Sequence, residues 1–512
     1  MRHDPVHGLL SRLFPGLGDL TRLIAIVAGH HGTPPGGEVM QHLAITEMTR
    51  DLPSPSVAAA GEAVAILERI CRLEPLPQLT SSAINRADFL LNGLITFCDW
   101  IDSDTEFFPV GKPADANPER YWTTAMKSAA DALANKGQSG VLPIIHPDYR
   151  VLGLPCADDP RPMQAAVETI AIGEGPQLFI IEDATGSGKT EAAILLAARL
   201  MAAGKGEGVY FALPTMATAN AMHGRMAGLR KHMFEGGEAS IVLAHGKAKL
   251  ARRLAAVRSG HAGEDSAAAF CNDWIAVSRR LALFADIGVG TIDQAFLGIL
   301  RRKHLSLRQA ALARRILIVD EAHSFDSYMG VELESLLRAQ AANGGSTIVL
   351  SATLSRQTRM KLVAAFSGGL PRHVDSSRAL YRRVSSAAPP EPRSQCYPLL
   401  TRVGKGELHE QPVAFDDRLG RTVHVERIPD RDTAIAMAIA AAKGGAAVGI
   451  VCNAVDEAIG VHGAIADAFA DASHAQLFHA RFTVGDPAHA GMNRIPSGPP
   501  IRPSVCSPHT RG

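Results

Sequence analysis

The chain has 512 residues, 46% of them hydrophobic, and a formal net charge of +1. That length accommodates three or four domains of roughly 100–200 residues each, and the near-neutral balance excludes a globally basic nucleic-acid binder, so any DNA contact has to come from local arrangement of charge. The 7 cysteines are scattered with no CxxC pair, which excludes a zinc ribbon or disulfide framework and fits a reducing cytoplasm.

Residues 1–110 predict helices, with apolar positions at helical spacing over 20–28, 58–73 and 83–100 and proline-rich breaks between them. No apolar run reaches the roughly 18 residues that span a bilayer. The nearest, 89–101, is interrupted by Asp99, and the start MRHDPVHGLL lacks the order of a signal peptide, so a cytoplasmic protein without a membrane partner is expected. Residues 111–160 read as a connector with one helix over 121–135. From 161 to 384 short β-rich runs alternate with helical stretches: 177–183, 208–214, 239–245, 286–291, 314–322 and 346–353. Such alternation predicts a parallel sheet covered on both faces. A Pro/Ser/Arg stretch places a linker over 385–420. The rhythm returns over 421–486, with strands expected at 422–428, 447–453 and 476–482, and the proline-rich tail 487–512 is expected to be disordered.

The strongest signal is DATGSGKT, Asp183 to Thr190, between an apolar strand and the helical run EAAILLAARLM. Strand, loop and helix are the context a phosphate-binding loop requires. The backbone of Thr185, Gly186, Ser187 and Gly188 closes around phosphate oxygens, and the helix N-terminus adds its positive end. Lys189 would reach the β- and γ-phosphates of ATP, and the Thr190 hydroxyl would ligate magnesium. The second signal is ILIVDEAH: four apolar residues of a buried strand end in two carboxylates, which is costly without a cation. There Asp320 would hold magnesium, Glu321 would polarise the attacking water, and His323 completes the box. Ser351 and Thr353, on the next strand after DEAH, form a Ser-Ala-Thr tripeptide like the one that in helicases links the ATP site to the DNA track. Gln164 suits the adenine edge. Thr215 and Thr291, just past strand ends, suit DNA phosphates.

Motif for motif, 161–366 resembles the helicase core of the CRISPR type I helicase–nuclease family. The marks beyond general DEAH-box motifs are IEDATGSGKTEAA, VGTIDQAFLGIL with RRKH after it, IVDEAHSFDSYMGVELESLL, and Trp274 and Arg279-Arg280 ahead of VGTIDQ. The resemblance implies a RecA-like helicase core, one domain complete and one partial, preceded by an all-α partial HD nuclease domain. It implies single-stranded DNA as track and a Cascade-type surveillance complex with its R-loop as partner. AGHHGTPP and CDWIDSDTEFFP are similar to that family's nuclease segments, so His30, His31, Asp99 and His3 are the implied ligands of a divalent transition metal.

The chain departs from the family pattern twice. The His and His-Asp dyad expected well before the double histidine have no room ahead of His30, and no Gln-x-x-Gly-Arg-x-x-Arg segment follows 477–486. An incomplete copy is therefore expected: no nuclease activity, slow ATP turnover and poor solubility. Two other readings stand beside it: a non-catalytic remnant that binds ATP or DNA, and a different DEAH-box helicase.

Overall fold

The computed structural model describes residues 54–71, 81–109, 117–135, 140–236, 239–244, 283–300, 305–370, 391–420 and 424–469, with Ile26, Val27, Gly29, Ala475, Leu477 and 504–506 besides. The chain divides into two compact units, Met1–Leu419 and Gly420–Gly512.

The first unit is built on a sheet whose strands are β1 (Leu178–Glu182), β2 (Gly208–Leu213), β3 (Ile241–Ala244), β4 (Ile287–Thr291), β5 (Arg315–Val319), β6 (Thr347–Ser351), β7 (Leu399–Gly404) and β8 (Glu407–Pro412). Their order is β3-β4-β2-β5-β6-β1-β7-β8. The six strands β1–β6 pair in parallel. Alternate side chains enter two separate cores, Phe179 and Ile181 on one face and Leu178 and Ile180 on the other. This is why β1 reads as a continuous apolar run rather than an alternation. Each such side chain contributes roughly 1.5–3 kcal/mol on full burial. Helices α4 (Pro162–Thr169), α5 (Lys189–Ala202), α6 (Met216–Met233), α7 (Ile292–Phe296), α8 (Leu305–Ala313), α9 (Ser327–Ala342) and α10 (Arg356–Gly369) link or flank the strands. Ahead of them in the chain lie α1 (Ser54–Cys71), α2 (Ser81–Asp102) and α3 (Pro118–Asn135).

Two boundaries differ from those the sequence suggests. Residues 399–412, inside the expected linker, form the β7–β8 hairpin, and β7 adds antiparallel to β1. Leu399, Leu400, Thr401 and Val403 supply the buried positions, while the prolines that suggest a linker stand at 389–398 and 412, outside the paired interior. The connector also belongs to this unit: Tyr149, Leu152 and Leu154 are buried in the same core as Met163 and Ala193.

The N-terminal helices are docked onto the sheet domain through α2 and α8. Gly93 lies where any Cβ would strike the Ser306 carbonyl. Ser306 Oγ donates to Asn92 Oδ1 (2.5 Å), Asn92 Nδ2 donates to the Ile26 carbonyl (2.6 Å), and the Phe97 ring stacks on Phe284 at 4.9 Å.

The second unit contains α11 (Arg431–Lys443), β9 (Val448–Ile450) and α12 (Val455–Ala466). Residues 424–428 of the expected first strand carry no strand pairing, and Val425 is 92% exposed. Without a neighbouring chain to satisfy its backbone, β-propensity alone does not make a strand. The expected strand 476–482 falls almost wholly outside the described residues. The tail read as disordered supplies β10 (Ser504–Cys506), parallel to β9, its Val505 suiting a strand position; the rest of 487–512 lies outside the described residues.

Candidate active site

The phosphate-loop, DEAH and Ser-Ala-Thr segments stand at the carboxyl ends of parallel strands, where open α/β sheets bind their ligands. Because β1, β6 and β5 are neighbours, the segments that follow them converge: 183–190 after β1, 320–323 after β5 and 351–353 at the end of β6.

Gly186 and Gly188 adopt φ of 81° and 85°, which admits glycine at little steric cost, and Gly188 serves as the αL N-cap of α5. At Gly188 a Cβ would collide with the Gln164 amide. Lys189 folds back over this loop, its ammonium donating to the Asp183 and Ala184 carbonyls at 2.8 Å each. Burial holds its pKa below the ordinary lysine value, against the opposing pull of Glu321, Asp183 and Asp320. Asp320 is pushed upward, by burial first and then by Glu321 beside it. Asp183 is likewise raised by burial. Three carboxylates thus act on one ammonium, but among the described residues no three acidic or imidazole groups stand close enough to hold a metal ion by themselves. Lys189 and the loop N–H groups are of the kind that meets the phosphates of a nucleotide, and the Thr190 hydroxyl of the kind that meets a divalent cation.

Glu321 takes a left-handed φ of 54°, the one positive φ at a non-glycine residue among the described ones. Such a conformation costs on the order of 1–3 kcal/mol and persists where the surroundings impose it. His323 Nδ1 lies 3.2 Å from Glu321 Oε2, accepts from the Ala352 N–H at 3.3 Å and lies 3.4 Å from Ser351 Oγ. A ring nitrogen that accepts from the Ala352 N–H has no proton to give the carboxylate, and Glu321 Oε2 has no hydrogen-bond partner among the described residues, so His323 is bonded to the Ser-Ala-Thr segment and only lies beside Glu321. Ser351 Oγ also donates to the Thr353 carbonyl, at 3.1 Å.

The remaining residues singled out in the sequence take varied places. Gln164 is 1% exposed, and its amide is spent within the protein: the oxygen accepts from the Arg161 N–H (2.9 Å) and the nitrogen donates to the Gly188 carbonyl (3.2 Å). Thr215 is exposed and caps α6, its hydroxyl accepting from the Thr218 N–H at 3.2 Å. Thr291 is the N-cap residue of α7 but makes no capping bond. Thr353 is exposed. Asp99 lies half-buried on α2, whereas His3, His30 and His31 lie outside the described residues.

Sequence reasoning missed a buried ion pair one residue ahead of the phosphate loop. Arg359 donates to both oxygens of Glu182, at 2.6 and 3.0 Å, and to the Ser394 carbonyl at 2.8 Å. Burial raises Glu182 despite the opposing pull of Arg359. A charged residue closing a buried strand was a legible demand for a partner, but the partner stands 177 positions away. Also missed were Arg225, paired with Glu191 at 2.5 Å, and Asp416, pulled below the usual carboxylate range by its hydrogen bonds with Arg418.

A phosphate loop, an acidic strand tip and a Ser-Ala-Thr segment on three adjoining parallel strands define the nucleotide-site domain of a DEAH-box helicase. The comparison with family models agrees: residues 161–362 match the DEAD/DEAH box helicase family, and residues 1–108 match the Cas3, HD domain. The chain belongs to the CRISPR-associated helicase–nuclease family. It is 31% identical over 495 residues to CRISPR-associated endonuclease/helicase Cas3 of Escherichia coli (strain K12), covering 90% of this chain and 51% of that relative. Among solved structures, T. fusca Cas3-ADP superposes with a TM-score of 0.68 at 27% identity, over 92% of this chain and 54% of that one. A chain of a CRISPR RNA-guided surveillance complex, pre-nicking, does so with a TM-score of 0.55 at 26% identity, over 86% of this chain and 46% of that one. The chain spans about half the length of the E. coli relative, 51%. Among the described residues, no helix is long and apolar enough to cross a membrane.

Proposed function

We propose that the chain is the ATP-binding, DNA-translocating part of a helicase–nuclease acting in CRISPR type I defence. The observation that carries this reading is that the segments bearing Lys189, Asp320 to His323 and Ser351 stand at the carboxyl ends of adjacent strands, with His323 Nδ1 3.4 Å from Ser351 Oγ. Lys189 and the backbone of 185–188 would hold the phosphates, while Thr190 and Asp320 would hold magnesium. Magnesium, when bound, offsets charge on the transferring phosphoryl group. Glu321 would polarise the attacking water, and the His323–Ser351 contact would pass the state of the site to Thr353 and the DNA track. Thr215 and Thr291, at neighbouring strand ends, would meet the phosphates of a single strand. The HD region, through His3, His30, His31 and Asp99, would hold a divalent transition metal. The matched surveillance complex supports a Cascade-type complex with an R-loop as partner, in the cytoplasm.

Binding of a fluorescent ATP analogue with magnesium, measured beside ATPase activity with single-stranded DNA, tests this reading. Binding that Lys189→Ala weakens by about 100-fold, a loss of about 2.7 kcal/mol, supports the site. Wild-type and Lys189→Ala chains that bind alike sink it.

A further inference from the structure

The last residues of the first unit lie against the phosphate loop. After β8, Val413 N–H donates to the Pro398 carbonyl (3.1 Å), and a 3₁₀ turn at Asp417–Leu419 ends the unit one residue before Gly420. Asp416, on this strap, has a side chain only 5% exposed. It accepts from two arginines. Arg161 Nη1 reaches its Oδ2 at 3.3 Å, and Arg418 Nε reaches its Oδ1 at 2.8 Å. Arg418 Nη1 also pairs with Asp159 at 2.6 Å, and the Leu419 side chain is the nearest group to the space beside Gly186.

Arg161 grips the phosphate loop from both of its ends. Its side chain donates to the Gly186 carbonyl at 2.7 Å, by the same Nη1 that reaches Asp416. Its backbone N–H is held by the Gln164 amide, which in turn holds the Gly188 carbonyl. A surface ion pair alone is worth little. This carboxylate is different: it is buried, and it is shared between the residue that grips the loop and the strap that leads into the second unit.

Resting on the nucleotide reading of the site, we propose that residues 413–419 form a latch on the phosphate loop. Asp416 is its positioning residue and makes the latch respond to a bound nucleoside triphosphate. Phosphate oxygens accept from the loop N–H groups and polarise its peptides. The Gly186 carbonyl then accepts more strongly from Arg161, because chained hydrogen bonds reinforce one another. Arg161, held in place, holds Asp416, and the strap tightens. The nucleotide state thereby reaches the segment that enters the second unit.

Limited trypsin digestion of the full chain tests this, following the fragment that ends at Arg418 by mass spectrometry, with and without AMP-PNP and magnesium. AMP-PNP slows that cleavage by about fivefold or more in the wild type, at the lower end of ordinary coupling between sites. In Asp416→Asn cleavage is faster, and the nucleotide no longer changes it. A merely structural carboxylate would raise cleavage equally in both conditions and leave the ratio intact. Hydrogen exchange of 413–419 in the wild type gives a second readout that needs no variant, with protection by AMP-PNP expected. Wild-type chain that binds AMP-PNP without any change in the strap overturns the latch and leaves the nucleotide site standing, as does Asp416→Asn with the wild-type ratio. Wild-type chain that binds no AMP-PNP overturns both.

Discussion

Two charge clusters lie near the carboxyl ends of the first unit's parallel strands, one buried around Glu182 and one partly exposed around Lys189, and they differ in how their charges are met. Around Glu182 the carboxylate is met at both oxygens, although Glu410 Oε1, 3.5 Å from Arg359 Nη1, has no hydrogen-bond partner among the described residues. Arg359 spans both carboxylate oxygens, and nearby Glu410 accepts the Arg393 and Ser394 N–H groups at 2.8 and 3.0 Å. Around Lys189 the carboxylates are not met in that way. Asp183, Asp320 and Glu321 face one ammonium that donates to carbonyls of its own loop, and Glu321 is held in a left-handed conformation. A carboxylate paired in this way holds the fold together, whereas an unbalanced cluster keeps affinity in reserve for a cation and phosphates.

The sharpest test of the contrast is Glu321→Gln, which removes the group proposed to polarise water while keeping its shape. Turnover should fall by about 10²–10⁴, with analogue binding and Tm nearly unchanged; a comparable loss of Tm would make this cluster structural as well. Next comes Arg359→Ala, which leaves Glu182 buried and unpaired. Chemical denaturation should show a loss of about 3–5 kcal/mol. A loss below roughly 1 kcal/mol, the range of surface pairs, would mean that the pair does not hold the fold together. The smallest effect, Asp320→Asn, concerns pH. Burial and Glu321 raise the Asp320 pKa on folding, so its ionised form is penalised in the folded chain. That penalty is absent below the ordinary aspartate value of about 3.9, grows as pH rises above it, and levels off above the raised value. Asp320→Asn should therefore raise Tm at pH 7, by an amount that shrinks as pH falls through the carboxylate range. A gain that does not vary with pH would exclude ionisation as its cause.

The two clusters were not equally legible in the sequence. DATGSGKT and DEAH are contiguous, and their strand–loop–helix setting follows from local apolar runs. Lys189, Asp320 and Glu321 could therefore be read without a structure. The β7–β8 hairpin was missed because its strands lie among prolines and charges, and β7 finds its pairing partner in β1, more than two hundred positions earlier. Thr215 illustrates the opposite case. The hydroxyl expected at DNA is the N-cap of α6, a role that local chemistry alone would have suggested.

What the sequence by itself determined was the chemistry of short contiguous segments. A phosphate loop works through consecutive backbone N–H groups and one lysine, and a buried strand through neighbouring apolar side chains. The tertiary structure alone decided which distant charges meet: Arg359 with Glu182, Asp416 with Arg161, and His323 with Ser351. Ion pairs and hydrogen bonds depend on separation in space within a few ångströms, and the order of strands in the sheet, rather than distance along the chain, sets that separation.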